Sequence, residues 1–155
     1  MGVEIERKFL VEPGAEVPGG RTLPVLQGYL VVGAGGDEAR LRRQGEACSL
    51  TVKHGSGLVR GEWEIALDPA QFAELWPATE RARLEKDRRI VPLDGTEAVV
   101  DSYHGRLAGL RTVEVEFASQ EEAAAFAPPP WFGTEVTDRD EYKNRRLATA
   151  TAPPD

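Results

Sequence analysis

Residues 3–11, Val-Glu-Ile-Glu-Arg-Lys-Phe-Leu-Val, are the stretch of this 155-residue chain from which its fold can be inferred. Successive side chains of a β-strand point to opposite faces. Glu4, Glu6 and Lys8 therefore share one face of a predicted strand, and apolar residues occupy most of the other face. The segment is predicted to be a strand that presents two carboxylates and an ammonium group on the same side.

The same alternation recurs along the chain, with acids on some segments and bases on others. The polar faces carry Arg40 and Arg42; Ser49, Thr51 and Lys53; Glu62 and Glu64; Lys86 and Arg88; Asp101; and Glu114 and Glu116. A sheet whose charged face met only water would not need its acidic and basic residues on separate strands. We therefore infer a closed or strongly curved sheet with a polar interior, in which acidic strands hold cations and basic strands hold an anion. Its apolar faces are expected to look outward, under a cover of helices.

Composition indicates an ordinary globular protein. Apolar residues make up 41% of the chain and charged residues 29%, which is outside the range typical of disordered chains. We expect one domain over residues 1–150 and a disordered tail at 151–155. The net charge of −7 argues against nucleic acid or membrane surfaces as partners, although a local basic cluster can still bind a compact anion.

The cysteine and histidine content narrows the possible sites and compartments. Cys48 is the only cysteine, which excludes an intrachain disulfide and a cysteine-based zinc site. The sequence also has neither a transmembrane-length apolar run nor the order of a signal peptide. His54 and His104 are too far apart for a local metal motif, and we interpret both as loop or surface residues. A cytoplasmic location is predicted.

Turn-rich breaks divide the chain into eight predicted strands. These strands lie near residues 3–11, 25–32, 38–44, 48–54, 59–67, 82–92, 97–103 and 111–118. Asp68-Pro69 predicts a helix start, because aspartate can cap free amides and proline fits the first helical position. Ser119 and Glu122 resemble a capping box before a helix over 120–127, which the three prolines at 128–130 stop. A third helix is predicted over 142–150.

These segments resemble, in order, the motifs of the CYTH superfamily, also called triphosphate tunnel metalloenzymes. The matching motifs are Glu4-x-Glu6-x-Lys8, Gln27-Gly28-Tyr29-Leu30, Arg40-Leu41-Arg42, Leu50-Thr51-Val52-Lys53, the Glu62 and Glu64 pair, Leu84-Glu85-Lys86-x-Arg88, Val113-Glu114-Val115-Glu116-Phe117 and Tyr142-Lys143-Asn144. The first motif alone is a weak signal, whereas the ordered set over nearly the full length is specific. Compact size and the stretch at 128–133 make the chain most similar to bacterial inorganic tripolyphosphatases.

The resemblance implies an α+β fold: an eight-stranded antiparallel β-barrel, the triphosphate tunnel, with a polar interior and flanking helices. It also implies that a linear triphosphate binds inside the tunnel and that a divalent metal, Mg²⁺ or Mn²⁺, is needed. Such hard cations take oxygen ligands, usually one or two carboxylates together with substrate phosphates. The number of ions is left open.

On this basis we assign expected roles to the charged positions. Substrate binding is expected from Lys8, Arg40, Arg42, Lys53, Lys86, Arg88 and Lys143, and metal binding from Glu4, Glu6, Asp101, Glu114 and Glu116. The expected catalytic residues are Glu4, Glu6, Lys8, Tyr29 and Glu116, and Glu62 and Glu64 are expected elsewhere in the tunnel. The general base is not assigned. The alternative is that the bases merely pair with Glu62, Glu64, Glu114 and Glu116.

The leading functional hypothesis is metal-dependent hydrolysis of inorganic tripolyphosphate to pyrophosphate and phosphate. The alternatives are a thiamine triphosphatase, a class IV adenylyl cyclase, or a module that binds triphosphates without turnover. The expected partner is a small-molecule triphosphate, and a homodimer is possible. Trp131 and Phe132, expected to be exposed after the prolines, could form an interface or cover one end of the barrel.

Overall fold

A computed structural model describes residues 2–55 and 59–155 of the chain. Over these residues the strands are β1 (Gly2–Val11), β2 (Arg21–Val32), β3 (Glu38–Gln44), β4 (Ala47–His54), β5 (Val59–Leu67), β6 (Arg83–Leu93), β7 (Thr96–Tyr103), β8 (Arg111–Glu116) and β9 (Phe132–Glu135). The helices are α1 (Pro69–Leu75), α2 (Gln120–Ala125) and α3 (Asn144–Leu147), and single 3₁₀ turns form at Trp76–Thr79, Gly105–Leu107 and Asp140–Tyr142.

The first eight strands form a closed antiparallel barrel. They hydrogen-bond in the order β5-β4-β3-β2-β6-β7-β8-β1, and a further pairing of β1 with β5 closes the ring. The predicted barrel and its eight strands are therefore confirmed, although β2 begins at Arg21 and not at residue 25. The short β9 was not predicted; it pairs with β1 at Phe9 and Val11.

Alternation on β8 separates the apolar core from the polar interior. Val113 and Val115 are completely buried, whereas Glu114 between them lines a cavity inside the barrel. The two valines pack in one cluster with Phe9 and Phe132, outside the barrel wall. Burying side chains of this size stabilises the fold by about 1.5–3 kcal/mol each. Because this apolar core lies outside the wall, the inner faces of the strands are free to carry charge.

The C-terminal segment is held against the barrel by both apolar and polar contacts. Tyr142 and Leu147 pack in a buried cluster with Leu107. Arg106 donates hydrogen bonds of 2.6 to 3.1 Å to three backbone carbonyls around the end of α3. The last carbonyls of an α-helix lack intrahelical partners, so the guanidinium caps the end of α3. These contacts fix the C-terminal segment, which carries Lys143.

The predicted helix starts are confirmed. The Asp68 carboxylate accepts a hydrogen bond from the Gln71 amide at 2.7 Å, and the Gln71 side chain accepts one from the Asp68 amide at 2.9 Å. Ser119 caps α2 through the Glu122 amide, and α2 ends before the prolines. The third helix is shorter than predicted, since only Asn144–Leu147 is α-helical.

None of the helices formed by the described residues combines the length and apolar character needed to cross a bilayer.

The expectation that helices cover the outer apolar faces is wrong for part of β4 and β5. Val52, Trp63 and Ile65 are 42%, 44% and 59% exposed. The physical reason is the length of α1, whose seven residues bury only Phe72, and this ring packs near the opposite end of β4 beside Cys48. An apolar patch therefore remains on the outside of the barrel.

The expected exposure of Phe132 is also wrong. Its ring is 7% exposed and packs edge-on against Phe9, with 5.1 Å between ring centroids. Trp131 is partly buried and packs against the same ring at 4.5 Å. The two aromatic residues thus cover the outer face of β1.

Candidate active site

The barrel contains a polar cavity of about 300 Å³. Six of the expected substrate ligands line it, namely Lys8, Arg40, Arg42, Lys53, Arg88 and Lys143. Four of the expected metal ligands line it as well, namely Glu4, Glu6, Glu114 and Glu116, together with Tyr29 and Glu62. Residues from most of the chain's length thus converge on one space. Lys86, Asp101 and Glu64 do not line this cavity.

The acidic side of the cavity is formed by β1 and β8. Glu6 lies directly opposite Glu116 in the strand pairing, and Lys8 lies opposite Glu114. The Lys8 ammonium is 3.3 Å from a Glu114 oxygen. The Lys53 ammonium is 3.0 Å from both oxygens of Glu4. Glu114 and Glu4 are therefore paired with lysines, whereas Glu6 and Glu116 form no ion pair within the part of the chain that the structure describes.

This unequal pairing separates the acidities of the carboxyl groups. The Glu114 charge, with burial and the Glu4 charge, raises the pKa of Glu6 well above its ordinary value of 4.5. Burial opposes ionisation of Glu114, but the lysine and arginine charges, chiefly Lys8, outweigh it and lower the pKa of Glu114 to about 2. Of the two groups, Glu6 is therefore the one whose ionisation the neighbouring negative charges oppose.

The donor set fits a hard divalent cation. Among the described residues, no three acidic side chains already stand close enough together to hold an ion. The carboxylates nevertheless offer only oxygen ligands, which hard divalent cations prefer. A bound cation would also relieve the repulsion that raises the pKa of Glu6. Glu4, Glu6, Glu114 and Glu116 line the cavity and are the carboxylates that could hold such an ion.

The basic side of the cavity is centred on β3. Arg40 is 7% exposed, and its Nε has no hydrogen-bond partner within the described part of the chain. The Arg40 Nη2 donates a long hydrogen bond of 3.4 Å to the Thr51 hydroxyl. Burial and the charges of Arg40 and Arg88 lower the pKa of Arg42 to about 10. This crowding of cations is unfavourable unless an anion lies among them.

Pairing with glutamates accounts for only part of the basic side. Arg42 is 3.7 Å from Glu64, whose side chain is 44% exposed, so this contact is weak. Arg40 and Lys143 form no ion pair within residues 2–55 and 59–155. Burial lowers the pKa of Lys143, and the charges of Arg145 and Arg60 add to the effect. The cavity therefore contains positive charges that its own carboxylates do not neutralise.

Asp101 and Lys86 are buried and lie on the inward faces of β7 and β6, two residues from the cavity-lining Val99 and Arg88. Asp101 is 1% exposed and is 2.8 Å from the Lys86 ammonium. The Arg88 guanidinium donates two hydrogen bonds to the same carboxylate, at 2.9 and 3.0 Å. Burial lowers the pKa of Lys86 to about 7 despite this pairing. Asp101 thus holds the Arg88 guanidinium in place, and its role as a metal ligand stays a prediction.

Tyr29 presents a hydroxyl group that is available as a donor. Its oxygen accepts a hydrogen bond of 2.9 Å from the Gln27 amide nitrogen, and the ring is 4% exposed. Burial and the Glu38 charge raise the pKa of Tyr29 above its ordinary range. The phenol therefore stays neutral, and its proton can be donated toward the cavity.

The structure adds residues that were not predicted. Glu38 and Arg60 line the cavity and form an ion pair at 2.9 Å. Glu38 lies two residues before Arg40, and Arg60 lies two residues before Glu62. Strand alternation could therefore have placed both side chains in the barrel interior. The backbone carbonyl of Tyr142 also accepts a hydrogen bond of 2.6 Å from Lys8, a contact that no local pattern reveals.

Comparison with known proteins gives close relatives, although no family model matches the chain. It is 49% identical over 148 residues to an inorganic triphosphatase of Nitrosomonas europaea, covering 94% of this chain and 96% of that one. It is 32% identical over 149 residues to an inorganic triphosphatase of Acetivibrio thermocellus, covering 95% and 94%.

Solved structures agree with these relatives. A crystal structure of an inorganic triphosphatase superposes with a TM-score of 0.71 at 45% identity, covering 99% of both chains. A Hippeastrum protein described as an adenylyl cyclase with dominant triphosphatase activity has a TM-score of 0.56 at 16% identity, covering 80% of this chain and 83% of that one. The second similarity is one of fold alone.

Proposed function

The chain belongs to the inorganic triphosphatases of the CYTH superfamily, and we propose that it hydrolyses inorganic tripolyphosphate to pyrophosphate and phosphate inside its barrel. The observation that carries the proposal is a cavity in which carboxylates face Arg40 and Lys143, two cations that form no ion pair with any residue that the structure describes. Tripolyphosphate carries several negative charges and loses its hydration on entering such a space. Only a site with cations already in place can offset that loss.

The basic residues bind and orient the substrate in this proposal. Arg40 and Arg42 offer planar guanidinium groups that can each hold two phosphate oxygens. Arg88 is held in place by Asp101, so it loses little conformational entropy on binding. Lys53 and Lys143 add ammonium donors on other sides of the cavity. The bound tripolyphosphate is thus surrounded by hydrogen-bond donors before the reaction begins.

The reaction transfers the terminal phosphoryl group to water. The water oxygen bonds to the terminal phosphorus, the bond from that phosphorus to the bridging oxygen breaks, and pyrophosphate leaves with the electron pair while the water's proton is released. Arg40 and Arg42 stabilise the charge that develops on the leaving group. Tyr29 donates a hydrogen bond that orients either the leaving group or the water.

A divalent ion is proposed at Glu4, Glu6, Glu114 and Glu116, with Mg²⁺ or Mn²⁺ as the expected metals. When bound, it supplies charge neutralisation at the transferred phosphoryl group and increases the acidity of the attacking water. Lys8 holds Glu114 ionised from one side and is itself fixed by the Tyr142 carbonyl. Lys8 therefore positions a ligand and contributes positive charge near the reacting phosphate.

The lining of the cavity favours an inorganic substrate over thiamine triphosphate or ATP. Among the described residues that line it, Tyr29 is the aromatic residue, and its ring is almost fully buried. Adenine and thiamine groups are usually held by stacking on exposed aromatic faces. The paired carboxylates also argue against a module that binds without turnover, because anion binding alone does not require them.

A substrate panel tests this proposal. Phosphate release with Mg²⁺ is expected to be fastest on tripolyphosphate, slower on ATP and thiamine triphosphate, and lost when EDTA removes the metal. Faster release from thiamine triphosphate, or cyclic AMP formation from ATP, would establish an alternative enzyme. Binding of tripolyphosphate without any release of phosphate would establish the binding module.

Ligand-dependent melting provides a second test that does not require turnover. With Ca²⁺ in place of Mg²⁺ to suppress hydrolysis, tripolyphosphate is expected to stabilise the protein much more than pyrophosphate or sulfate does. A ligand at a hundredfold excess over its Kd stabilises the folded state by about 2.7 kcal/mol. Equal melting shifts for pyrophosphate and tripolyphosphate would show that the site does not distinguish chain length.

Three predictions from the sequence remain proposals. We propose one domain over residues 1–150 with a disordered tail at 151–155, a cytoplasmic location, and a homodimer. The buried free thiol of Cys48 supports a reducing compartment. Exposed Trp63 and Ile65 are the apolar side chains that a homodimer could cover.

A further inference from the structure

We propose that Glu38, paired with Arg60, is a specificity-determining residue that disfavours phosphate chains longer than tripolyphosphate. The inference rests on the proposed function and names a determinant of substrate length within the same cavity. It assigns to Glu38 and Arg60 a role that neither the metal ligands nor the expected substrate ligands fill.

The position of Glu38 on β3 is the first observation. Glu38, Arg40 and Arg42 occupy alternate positions of this strand, and all three line the cavity. Alternate residues of a strand lie about 7 Å apart along its axis. A linear anion that contacts Arg42 and then Arg40 therefore reaches the Glu38 carboxylate if it extends further along the strand. The cationic run of β3 ends there.

The pairing of Glu38 is the second observation. Its carboxylate is 2.9 Å from Arg60 Nη2, and the two side chains are 5% and 10% exposed. The same guanidinium also donates to the backbone carbonyls of Gly36 and Gly55. Arg60 therefore has its charge neutralised and these donors occupied, in contrast to Arg40, whose Nε has no partner in the described residues. The pair offers little attraction to a phosphate.

Lys53 is the cation beside Glu38, and it does not make this end of the strand attractive to phosphate. Lys53 lies opposite Glu38 in the strand pairing, but its ammonium is directed to both oxygens of Glu4 at 3.0 Å. A fourth phosphate that extends past Arg40 along β3 would lose its hydration and meet the Glu38 carboxylate, and the two nearest cations, Arg60 and Lys53, already have their charges paired. Three phosphates can bind on the cationic part of the strand, and a fourth is disfavoured.

The test compares tripolyphosphate with linear tetraphosphate in Glu38→Gln. Glutamine keeps the size and can accept a hydrogen bond from Arg60, but it removes the negative charge and leaves the Arg60 charge uncompensated. We expect kcat/KM for tetraphosphate relative to tripolyphosphate to rise roughly tenfold, the effect of one charge-assisted contact. The reaction would release phosphate and tripolyphosphate, and melting shifts with Ca²⁺ would report the same preference without turnover.

Two further variants make the test decisive. Glu97→Gln removes an exposed carboxylate on β7 and should keep the parent's ratio. Glu38→Gln combined with Arg60→Gln removes both buried charges together, so it should fold even if the single variant does not, and it should also raise the ratio. An unchanged ratio in the folded variants, or a parent that prefers tetraphosphate, would overturn the inference. A parent inactive on tripolyphosphate would instead overturn the proposed function.

Discussion

Replacing Glu6 with glutamine is expected to reduce phosphate release from tripolyphosphate by at least about a hundredfold, because the amide keeps the shape but loses the charge that a divalent ion requires. The same change is expected to stabilise the metal-free protein. The Glu114 and Glu4 charges repel the Glu6 carboxylate and raise its pKa, so its ionised form destabilises the folded state. Function and stability are therefore opposed at this residue.

The stability difference should depend on pH in a defined direction. A folded-state pKa above the ordinary value of 4.5 means that the folded protein binds this proton more tightly than the unfolded chain does. The parent's stability then falls as pH rises from that value through the folded-state pKa. Glu6→Gln does not titrate, so its advantage should be present at high pH and should vanish below the ordinary carboxyl value.

Denaturant unfolding at several pH values without metal, together with phosphate-release assays, measures both effects. Glu97→Gln is the matched control, since it removes an exposed carboxylate outside the cavity. Near-parent activity in Glu6→Gln would contradict the metal assignment. Lower stability at neutral pH would contradict the charge repulsion.

Alanine substitutions at Arg42 and Arg88 are expected to have similar effects on activity and opposite effects on stability. Each removes a charge-assisted contact to phosphate worth about 1.5–3 kcal/mol, which is roughly a ten- to hundredfold loss in kcat/KM. Arg42 is crowded by Arg40 and Arg88, and its pKa is lowered to about 10 by burial and those charges. Its removal should leave the substrate-free protein as stable as the parent or more stable.

Arg88→Ala should in contrast destabilise the protein. It leaves the buried Asp101 carboxylate with Lys86 alone. Breaking a buried pair in this way costs about 3–5 kcal/mol. Thermal melting of both variants and their tripolyphosphate kinetics provide the comparison. If Arg42→Ala were less stable than the parent but bound tripolyphosphate with the parent's affinity, Arg42 would be a structural partner of the glutamates and not a substrate ligand.

Local alternation determined the strands and the direction in which their side chains point. Glu4, Glu6 and Lys8 face one cavity because a strand repeats every two residues, a property that depends only on neighbours in sequence. The separation of acidic and basic segments likewise predicted a polar interior and a closed sheet. The helix starts followed from local capping chemistry at Asp68 and Ser119.

The partners of those inward side chains depended on the tertiary structure. Asp101 has the same local pattern as an acidic metal ligand, but strand register places it against Arg88 and Lys86. The pairing of Glu38 with Arg60 depends on the registers that place β3 and β5 on either side of β4, and the Tyr142 carbonyl reaches Lys8 from a distant segment. Sequence spacing fixes which face a side chain occupies, whereas register and barrel closure fix which charge it meets. The chemistry of the cavity depends on both.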